Sequence, residues 1–425
     1  MKALSICSIA FIFTISSFSQ WVPLVTNTTA DLQDICFIDN NTGIAAGYGG
    51  VLIRTTNAGV NWTIISSPAT QNIFSLCFPS ASIGYASGYT GFIIKSTSSG
   101  LSWFSVTSCG INVRSISFIN TLTGITGGGG SLMCYTTDGG TSWNPRYTPT
   151  SHAVSGLHYF NASLLMVCAT DMPGAVINKS TDGGNSWSTV MTQNNSGLNI
   201  TYSLSSVYCK DENTIFATGS NNIFGQNWGR IYRSTNAGNN WETVGNIGPA
   251  AGHNITCVYF GDNQAGFAAG NSGVIMRSAN SGANWEAQAS GTTISLTGVH
   301  MLNALTGYIC GGNGLILKTT NGGISGLQPI SSEVPEIFML YQNYPNPFNP
   351  STKIKFALPR ADFVTIKVFD ILGNIAATLV NEHLQPGIYE VEWNGSNYSS
   401  GLYFYRLFAG DPSLRSGQGF IETKK

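Results

Sequence analysis

Short apolar runs separated by polar turns fill the chain from residue 20 onwards. Within the runs, apolar and polar residues alternate at the two-residue period of a half-buried strand, as in Val51–Arg54 and Val274–Arg277. Helical periodicity of useful length is absent beyond the first residues of the chain. The pattern therefore predicts an all-β protein.

One segment of this pattern is repeated. Arg54–Trp62 returns with the same order of residue types, and successive tryptophans are 40 to 54 residues apart. The other copies are Lys95–Trp103, Tyr135–Trp143, Lys179–Trp187, Arg233–Trp241, Arg277–Trp285 and a seventh from Lys318 to Gly326, where the tryptophan is missing. Each unit divides into four short strands, and a period of about 40–45 residues is typical of a propeller blade. The repeat predicts a seven-bladed β-propeller.

The turn in each copy has its own chemistry. We expect an Asx oxygen to accept hydrogen bonds from backbone N–H groups two residues on, and the glycine two places later to supply a positive φ. The tryptophan then covers the hairpin with an apolar face. We interpret the following residues as structural: Asn57, Gly59, Trp62, Asp138, Gly140, Trp143, Asp182, Gly184, Trp187, Asn236, Gly238, Trp241, Asn280, Gly282, Trp285, Asn321 and Gly323. Ser98 replaces the Asx residue in the second copy, which predicts the weakest turn there.

The pattern Ser/Thr-x-Asp/Asn-x-Gly-x-x-Trp resembles the Asp-box, or BNR, repeat of sialidase-like propellers. The longer unit is similar to propellers of the photosystem II assembly-factor-like family. The resemblance covers about residues 20–326 and implies the propeller fold. Because such propellers serve as hydrolases, assembly factors and binding surfaces, the resemblance leaves the activity open.

The two ends of the repeat region complement each other. The seventh copy lacks both its tryptophan and its fourth strand, whereas residues 20–26 resemble the strand that follows each box. We expect residues 20–26 to form the outer strand of the seventh blade, with Trp21 in the place left by Gly326. Joining the ends in this way removes a long open edge from the ring.

Residues 1–19 have the features of a secretory signal peptide. Lys2 is basic, Ala3–Ile15 is almost entirely apolar, and small residues precede a cleavage point before Gln20. No other stretch is long enough to span a membrane. We therefore expect Sec-dependent export and a mature protein without a membrane span.

Residues 337–425 form a separate module behind a linker of residues 327–336. Five alternating runs between Lys353 and Phe408 predict a small immunoglobulin-like β-sandwich.

Three segments of this module, Tyr344–Thr352, Val368–Gly373 and Ser400–Arg406, closely resemble the C-terminal sorting domain of the type IX secretion system. The resemblance implies that residues 337–425 interact with the type IX machinery. It also implies that the protein is secreted, or held on the outer cell surface, in a Bacteroidetes-like bacterium. In that family the domain is often removed on export.

Composition narrows the range of functions. The 425 residues include 19 Lys+Arg and 20 Asp+Glu, and only 9% are charged. Nucleic acid is excluded as a partner, because phosphate binding needs a surplus of basic residues. Six of the ten lysines and arginines in residues 20–326 occupy the repeat position before the box, which leaves few charges for a catalytic site.

Nine cysteines include Cys7 of the signal peptide, so eight belong to the mature chain. Their spacing shows no CxxC and no zinc pattern. Because export permits disulfides, buried thiols and disulfides between blades both stay open. We expect no metal and no cofactor.

No pattern in the sequence indicates a catalytic site. A sialidase-like enzyme needs an arginine cluster for the substrate carboxylate, and other glycosidases need two converging carboxyl groups. The available carboxylates are Asp34, Asp171, Asp211, Glu212 and Asp262. The histidines of residues 20–326, which lack metal-ligand spacing, are His152, His158, His253 and His300. We assign no catalytic residue.

The longest interval between boxes, from Trp187 to Trp241, holds two insertions. The loop Ser220–Gly229 and the link Met191–Asn199 both emerge on the face opposite the box turns. Exposed aromatic and amide groups on long loops suit sugars or peptides. We predict a ligand-binding patch of Trp228, Phe224, Asn222, Gln226, Asn195 and Asp171; the alternative is an ordinary long loop with Trp228 packed inward.

Three functions remain. The leading one is a monomeric, secreted or surface-bound propeller that binds a glycan or protein ligand without catalysis. The alternatives are a secreted glycan hydrolase, either sialidase-like or another glycosidase, and an extracytoplasmic assembly factor. Export by the type IX system argues against the last, because cargo outside the cell cannot assemble inner-membrane complexes.

Overall fold

The structure, a computed structural model, describes residues 21–106, 110, 112–149, 151–171, 174–193, 200–250, 253–323, 329–331, 333–384, 386–395, 398–410 and 420–425. Its described residues form β-strands and four short 3-10 turns, without an α-helix, so the all-β prediction is confirmed. The 3-10 turns are Tyr48–Gly50, Tyr89–Gly91, Asn271–Gly273 and Gly312–Gly314. Among these residues there is no apolar helix of membrane-spanning length. The signal peptide and its cleavage point lie outside the described residues.

Residues 21–323 form seven antiparallel four-stranded sheets, numbered here along the chain, with strands counted from first to fourth. Sheet 1 consists of Leu32–Phe37, Gly43–Gly47, Leu52–Thr55 and Thr63–Ile65. Sheet 2 consists of Ile73–Cys77, Gly84–Gly88, Ile93–Ser96 and Phe104–Val106. Sheet 3 consists of Val113–Phe118, Gly124–Gly128, Leu132–Thr136 and Asn144–Tyr147. Sheet 4 consists of Ala153–Tyr159, Leu165–Asp171, Gly174–Ser180 and Ser188–Gln193. Sheet 5 consists of Ile200–Cys209, Ile215–Ile223, Gln226–Ser234 and Glu242–Ala250. Sheets 6 and 7 are Ile255–Phe260, Gly266–Gly270, Ile275–Ser278 and Glu286–Gln288; Leu296–Met301, Gly307–Gly311 and Ile316–Thr319, with Val22–Leu24 as fourth strand.

The first strands of successive sheets lie side by side around a central cavity of about 1050 Å³. Side chains of one first strand bond to the backbone of the next, as when Asp34 Oδ2 accepts the Leu76 N–H at 2.7 Å. The same relation joins sheet 7 to sheet 1, because Thr297 Oγ1 donates to the Leu32 carbonyl at 2.8 Å. These bonds hold the first strands at fixed positions around the cavity.

The second strands explain the Gly-small-Gly pattern of the repeat. In sheet 1 every residue of Gly43–Gly47 is buried, because neighbouring strands and sheets cover the strand on all sides. A Cβ at Gly47 would lie 2.0 Å from the Asp31 carbonyl oxygen. Glycine is therefore required where the second strand leaves this crowded layer.

The N-terminal strand pairs with the third strand of sheet 7, with Val22 opposite Lys318 and Leu24 opposite Ile316. Trp21, just before it, is fully buried. Its ring meets Phe267 edge-on at 6.0 Å, and its Nε1 donates to Gln288 Oε1 at 3.1 Å.

The C-terminal module consists of two antiparallel sheets. One contains Met339–Leu340, Ser351–Leu358 and Gly387–Asn394; the other contains Ile375–Leu384, Asp362–Phe369, Phe404–Ala409 and Phe420–Lys424. Alternate residues of both sheets, such as Phe356 and Ile366, are buried in one shared core. The two-residue alternation seen in the sequence therefore corresponds to a core between two sheets.

The cysteines divide into two chemical states. Among the described residues, six are free thiols: Cys36, Cys77, Cys168, Cys209, Cys257 and Cys310. Cys134 is disulfide-bonded. Burial raises the pKa of the Cys77 thiol to about 12, as it does that of Cys168 and Cys257, so these thiols stay protonated at neutral pH.

Candidate functional site

The repeated box is a closed hydrogen-bonded turn. In sheet 1 the Thr55 hydroxyl donates to Asn57 Oδ1 at 2.9 Å and accepts the Gly59 N–H at 3.0 Å. Asn57 Oδ1 also accepts the Asn61 N–H at 2.9 Å. The Asx oxygen therefore reaches four residues along the chain, whereas we expected two, because the buried hydroxyl occupies the nearer N–H groups. Gly59 has φ 81°.

Several basic residues before the box join neighbouring sheets. Lys95 Nζ and Tyr85 Oη of sheet 2 both donate to the Gly139 carbonyl of sheet 3, at 2.8 and 2.9 Å. Lys318 and Tyr308 of sheet 7 do the same to the Ala58 carbonyl of sheet 1, each at 2.8 Å. We call these two arrangements the Lys–Tyr clamps. They use cations that a catalytic site would otherwise have available.

Sheet 5 projects beyond the other six. We expected Ser220–Gly229 to be an expanded loop, but the second and third strands continue through it and meet at the two-residue turn Phe224–Gly225. Beyond the usual end of the second strand at Gly219, residues 220–223 add about 13 Å of strand at the usual rise per residue. The insertion is therefore a projecting sheet edge.

The projecting hairpin divides the predicted patch between two faces. Trp228 pairs with Asn221, whereas Asn222 pairs with Asn227 one position further on, so Trp228 and Asn222 point to opposite faces. Asn222 donates to Asn227 Oδ1 at 2.6 Å. Trp228 is partly buried, with the Arg230 guanidinium 5.3 Å from its ring centroid.

The other predicted residues take different places. Phe224 is at the tip of the hairpin and is 72% exposed. Gln226 is exposed and shares the face of Trp228, because it lies two residues away on the same strand. Asp171 ends the second strand of sheet 4, next to sheet 5, and Asn195 lies outside the described residues. Of the predicted patch, Gln226 and Trp228 thus share one face of sheet 5, and Asp171 belongs to the neighbouring sheet 4.

Four of the acidic residues considered for glycoside chemistry are bound by other groups of the protein. Asp211 and Asp262 each accept two backbone N–H bonds within their own turns. Glu212 accepts a bond from Asn161 Nδ2 at 3.1 Å. Asp34 borders the central cavity, where burial raises its pKa to about 6 although it accepts two backbone N–H bonds. Among the described residues, Asp34 is the only carboxylate that lines this cavity.

Two of the four histidines in residues 20–326 also line the cavity. Burial lowers the pKa of His158 and of His300 to about 4, so both rings are neutral at pH 7. His158 Nδ1 accepts the Cys209 N–H at 2.7 Å, and its ring stacks on Tyr208 at 5.1 Å. Among the described residues, no group of three or more His, Cys, Asp or Glu side chains is suited to hold a metal ion.

Two protein-family models match the chain. Residues 42–248 match the DUF6242 beta propeller domain, and residues 342–415 match the Secretion system C-terminal sorting domain. No curated protein matches the chain.

Solved structures agree on the fold of the larger region. YCF48 bound to D1 peptide is 16% identical with a TM-score of 0.57, over 72% of this chain and 96% of that chain. YCF48 from Cyanidioschyzon merolae is 17% identical with a TM-score of 0.56, over 70% and 98%. The WD40 beta propeller domain of Doa1 is 14% identical with a TM-score of 0.53, over 71% and 97%. At these identities the similarity concerns the fold alone.

The seven-sheet region and the C-terminal family match support two separate conclusions about the chain. The first is a β-propeller similar to the DUF6242 propeller domain and to YCF48. The second indicates export to the cell surface or secretion, with the secretion machinery as a partner. The chain is therefore a β-propeller protein with a type IX C-terminal sorting domain.

Proposed function

We propose that the protein acts outside the cell as a non-catalytic binding or scaffold protein, with its ligand at the projecting hairpin of sheet 5. The observation that carries this proposal is the exposure of Phe224 at the tip of sheet 5, whose second strand continues about 13 Å past Gly219, the usual end of a second strand in this ring. A large apolar side chain held in water at a tight turn adds nothing to the core of the protein. It is available to a ligand.

Rigidity of the support favours binding at this place. Thr170 Oγ1 of sheet 4 accepts the Leu204 N–H at 2.8 Å and donates to the Leu204 carbonyl at 3.2 Å, which ties the base of sheet 5 to its neighbour. Arg230 covers Trp228, and Tyr232 Oη donates to Asn221 Oδ1 at 2.9 Å on the same face. A ligand would therefore meet Phe224, Gln226 and the edge of Trp228 in preset positions, at a low cost in entropy.

A structural neighbour supports the idea of a binding propeller. That YCF48 structure is described as bound to a D1 peptide. The likeness makes a peptide one reasonable ligand class for the hairpin, beside the surface glycan suggested by the aromatic and amide side chains.

We propose the following organisation for the whole chain. A signal peptide of residues 1–19 precedes a closed seven-bladed Asp-box propeller of residues 20–326, followed by a linker of residues 327–336. An immunoglobulin-like type IX sorting domain completes the protein with residues 337–425. Pairing of Val22–Leu24 with the last propeller strand supports the closed ring, and the shared core of the two C-terminal sheets supports the sandwich. We expect a monomer.

The test compares two exposed apolar residues on opposite faces of the ring. Phe224→Ser alters the hairpin, and Leu101→Ser alters a box turn where the side chain is 60% exposed. We expect Phe224→Ser to lower binding to a glycan array or to an extract of the producing cells' surface at least tenfold, while Leu101→Ser retains it. The stability of both variants should match that of the wild type, because both side chains are exposed.

Equal binding by the two variants would end the assignment of the hairpin as the ligand site. Incubation of the wild-type protein with the polysaccharides of the same extract tests the non-catalytic part. Release of reducing ends would overturn it and support the hydrolase alternative.

A further inference from the structure

The mouth of the central cavity is not uniform around the ring. At the bulge of the first strand, where its pairing with the second strand shifts by one residue, sheets 5 to 7 carry hydroxyl residues that bond to the following sheet. Thr256 Oγ1 donates to the Leu296 carbonyl at 2.7 Å, Thr297 Oγ1 donates to Leu32, and Ser205 bonds to Asn254. These small residues are part of the framework. The same position in sheets 1 to 3 holds larger side chains, namely Gln33, Phe74 and Arg114.

Two tyrosines accompany these larger side chains. Tyr48 and Tyr89 begin the 3-10 turns of sheets 1 and 2 and are 41% and 51% exposed. The Tyr48 ring meets Phe74 edge-on at 6.5 Å. At the same position of the other two 3-10 turns stand Asn271 and Gly312, so the aromatic rings are confined to one side of the ring.

The repeat gives Tyr89 a matching neighbour in Arg114. The residue after Tyr48 donates its N–H to Asn72 Oδ1, two residues before Phe74, at 3.0 Å. The residue after Tyr89 donates in the same way to Asn112 Oδ1, two residues before Arg114, at 2.8 Å. The backbone register therefore brings Tyr89 next to Arg114 as it brings Tyr48 next to Phe74.

Arg114 has no structural task among the described residues. Its side chain is exposed, and it makes no hydrogen bond, ion pair or ring contact with them. Arg54 and Arg233, in contrast, bond to Ser99 and Glu242. Arg114 is also the only cation that lines the cavity among the described residues.

We propose that Tyr48, Phe74, Tyr89, Arg114 and Gln33 form a second ligand site, which binds a uronic-acid unit of an acidic polysaccharide. The guanidinium would hold the carboxylate through two parallel hydrogen bonds. The aromatic rings offer apolar faces to the flat side of a sugar, and the Gln33 amide offers both a donor and an acceptor to its hydroxyls. A protein at the cell surface or outside it meets such polymers. The site is independent of the hairpin of sheet 5.

Calorimetric titration of the purified protein with tetragalacturonate tests this site. We expect binding by the wild type, and at least tenfold weaker binding by Arg114→Gln and by Tyr48→Ala. Arg146→Gln, which removes a half-buried arginine on the outer strand of sheet 3, away from the cavity lining, should bind as the wild type does. Arg114→Lys should fall between, because it keeps the charge and loses the paired geometry.

Two further ligands separate the possible causes. The methyl ester of tetragalacturonate keeps the sugar rings but lacks the carboxylate charges, and it should bind at least tenfold more weakly. Tetraglutamate carries carboxylate charges but has no sugar rings, and it should not compete with tetragalacturonate. The proposal is overturned by absence of wild-type binding at millimolar ligand, by equal losses in Arg114→Gln and Arg146→Gln, or by tighter binding of tetraglutamate, which would indicate an acidic peptide site.

Discussion

Two half-buried histidines of the cavity, His158 and His300, link the stability of the propeller to pH. Because burial lowers the pKa of each to about 4, the unfolded chain takes up protons on them below pH 6.5 that the folded chain does not. Their stabilising contribution is therefore complete above pH 6.5 and is lost as the pH falls towards 4. Asp34 acts in the opposite direction. Its pKa is raised to about 6, so its contribution is complete below the unfolded pKa near 4 and is lost as the pH rises through 6.

His300→Phe should reduce the acid sensitivity of the protein. The variant keeps an aromatic ring beside Tyr259, which lies 4.9 Å from His300, and removes one titrating group. Between pH 7.5 and pH 5 we expect it to lose about 2 kcal/mol less free energy of unfolding than the wild type. Urea denaturation at the two pH values provides the measurement. Equal losses in the two proteins would show that His300 does not contribute to the linkage.

At the scale of the structural element, the Lys–Tyr clamps give the cation before the box a structural role in sheets 2 and 7. The lysine and tyrosine of one sheet converge on a carbonyl in the box turn of the next, so the turn is held from outside as well as from within. Burial lowers the pKa of Lys318, which is the cost of placing an ammonium group between two sheets. The cation is kept because the carbonyl would otherwise lose a bond.

Lys318→Met and Lys95→Met should destabilise the protein by similar amounts, about 1–2 kcal/mol each, since each removes one charged hydrogen bond from an equivalent junction. Lys179→Met is the matched control. Lys179 stands at the same repeat position, and its ammonium makes no hydrogen bond or ion pair with the described residues. The control should change stability by less than about 0.5 kcal/mol. The measurement is the urea midpoint of each variant. A loss of stability in Lys179→Met equal to that in Lys318→Met would refute the role of the Lys–Tyr clamps.

At the scale of the whole molecule, sheet 7 combines strands from distant parts of the chain. Its core includes Trp21, which is fully buried against Phe267. Trp21→Ala should lower the free energy of unfolding by about 3–5 kcal/mol, as expected for a buried tryptophan. Deletion of residues 20–26 should also promote aggregation, because it leaves the third strand of sheet 7 as an open edge.

Thermal unfolding and light scattering check this prediction. Val25→Ser is the control, because Val25 belongs to the same segment but is 73% exposed. Its melting temperature should match that of the wild type. An unchanged melt of the deletion variant would refute closure by this strand.

The sequence predicted the architecture better than the binding surfaces. Two-residue alternation and the recurring box are local, so they indicated strands and repeat units directly. The projecting hairpin was interpreted as a loop because Ser220, Asn221 and Asn222 are polar on both faces, and because Phe224 with φ 51° is an unusual residue for a tight turn.

The cavity mouth could not be read from any single segment. Its residues come from three sheets and meet only because the first strands lie side by side. Alignment of the first strands by repeat position would nevertheless have singled out Gln33, Phe74 and Arg114, since sheets 4 to 7 have serine or threonine there.

The pairing of Val22 with Lys318 also has a consequence in time. Synthesis proceeds from the N-terminal side, so Val22 has no strand to pair with until almost the entire propeller has been made. A chain that stops early keeps an unpaired strand at one end and an exposed layer of buried-type residues at the other. Proteases and chaperones recognise such features, so closure of sheet 7 is the structural difference between a finished propeller and an incomplete one.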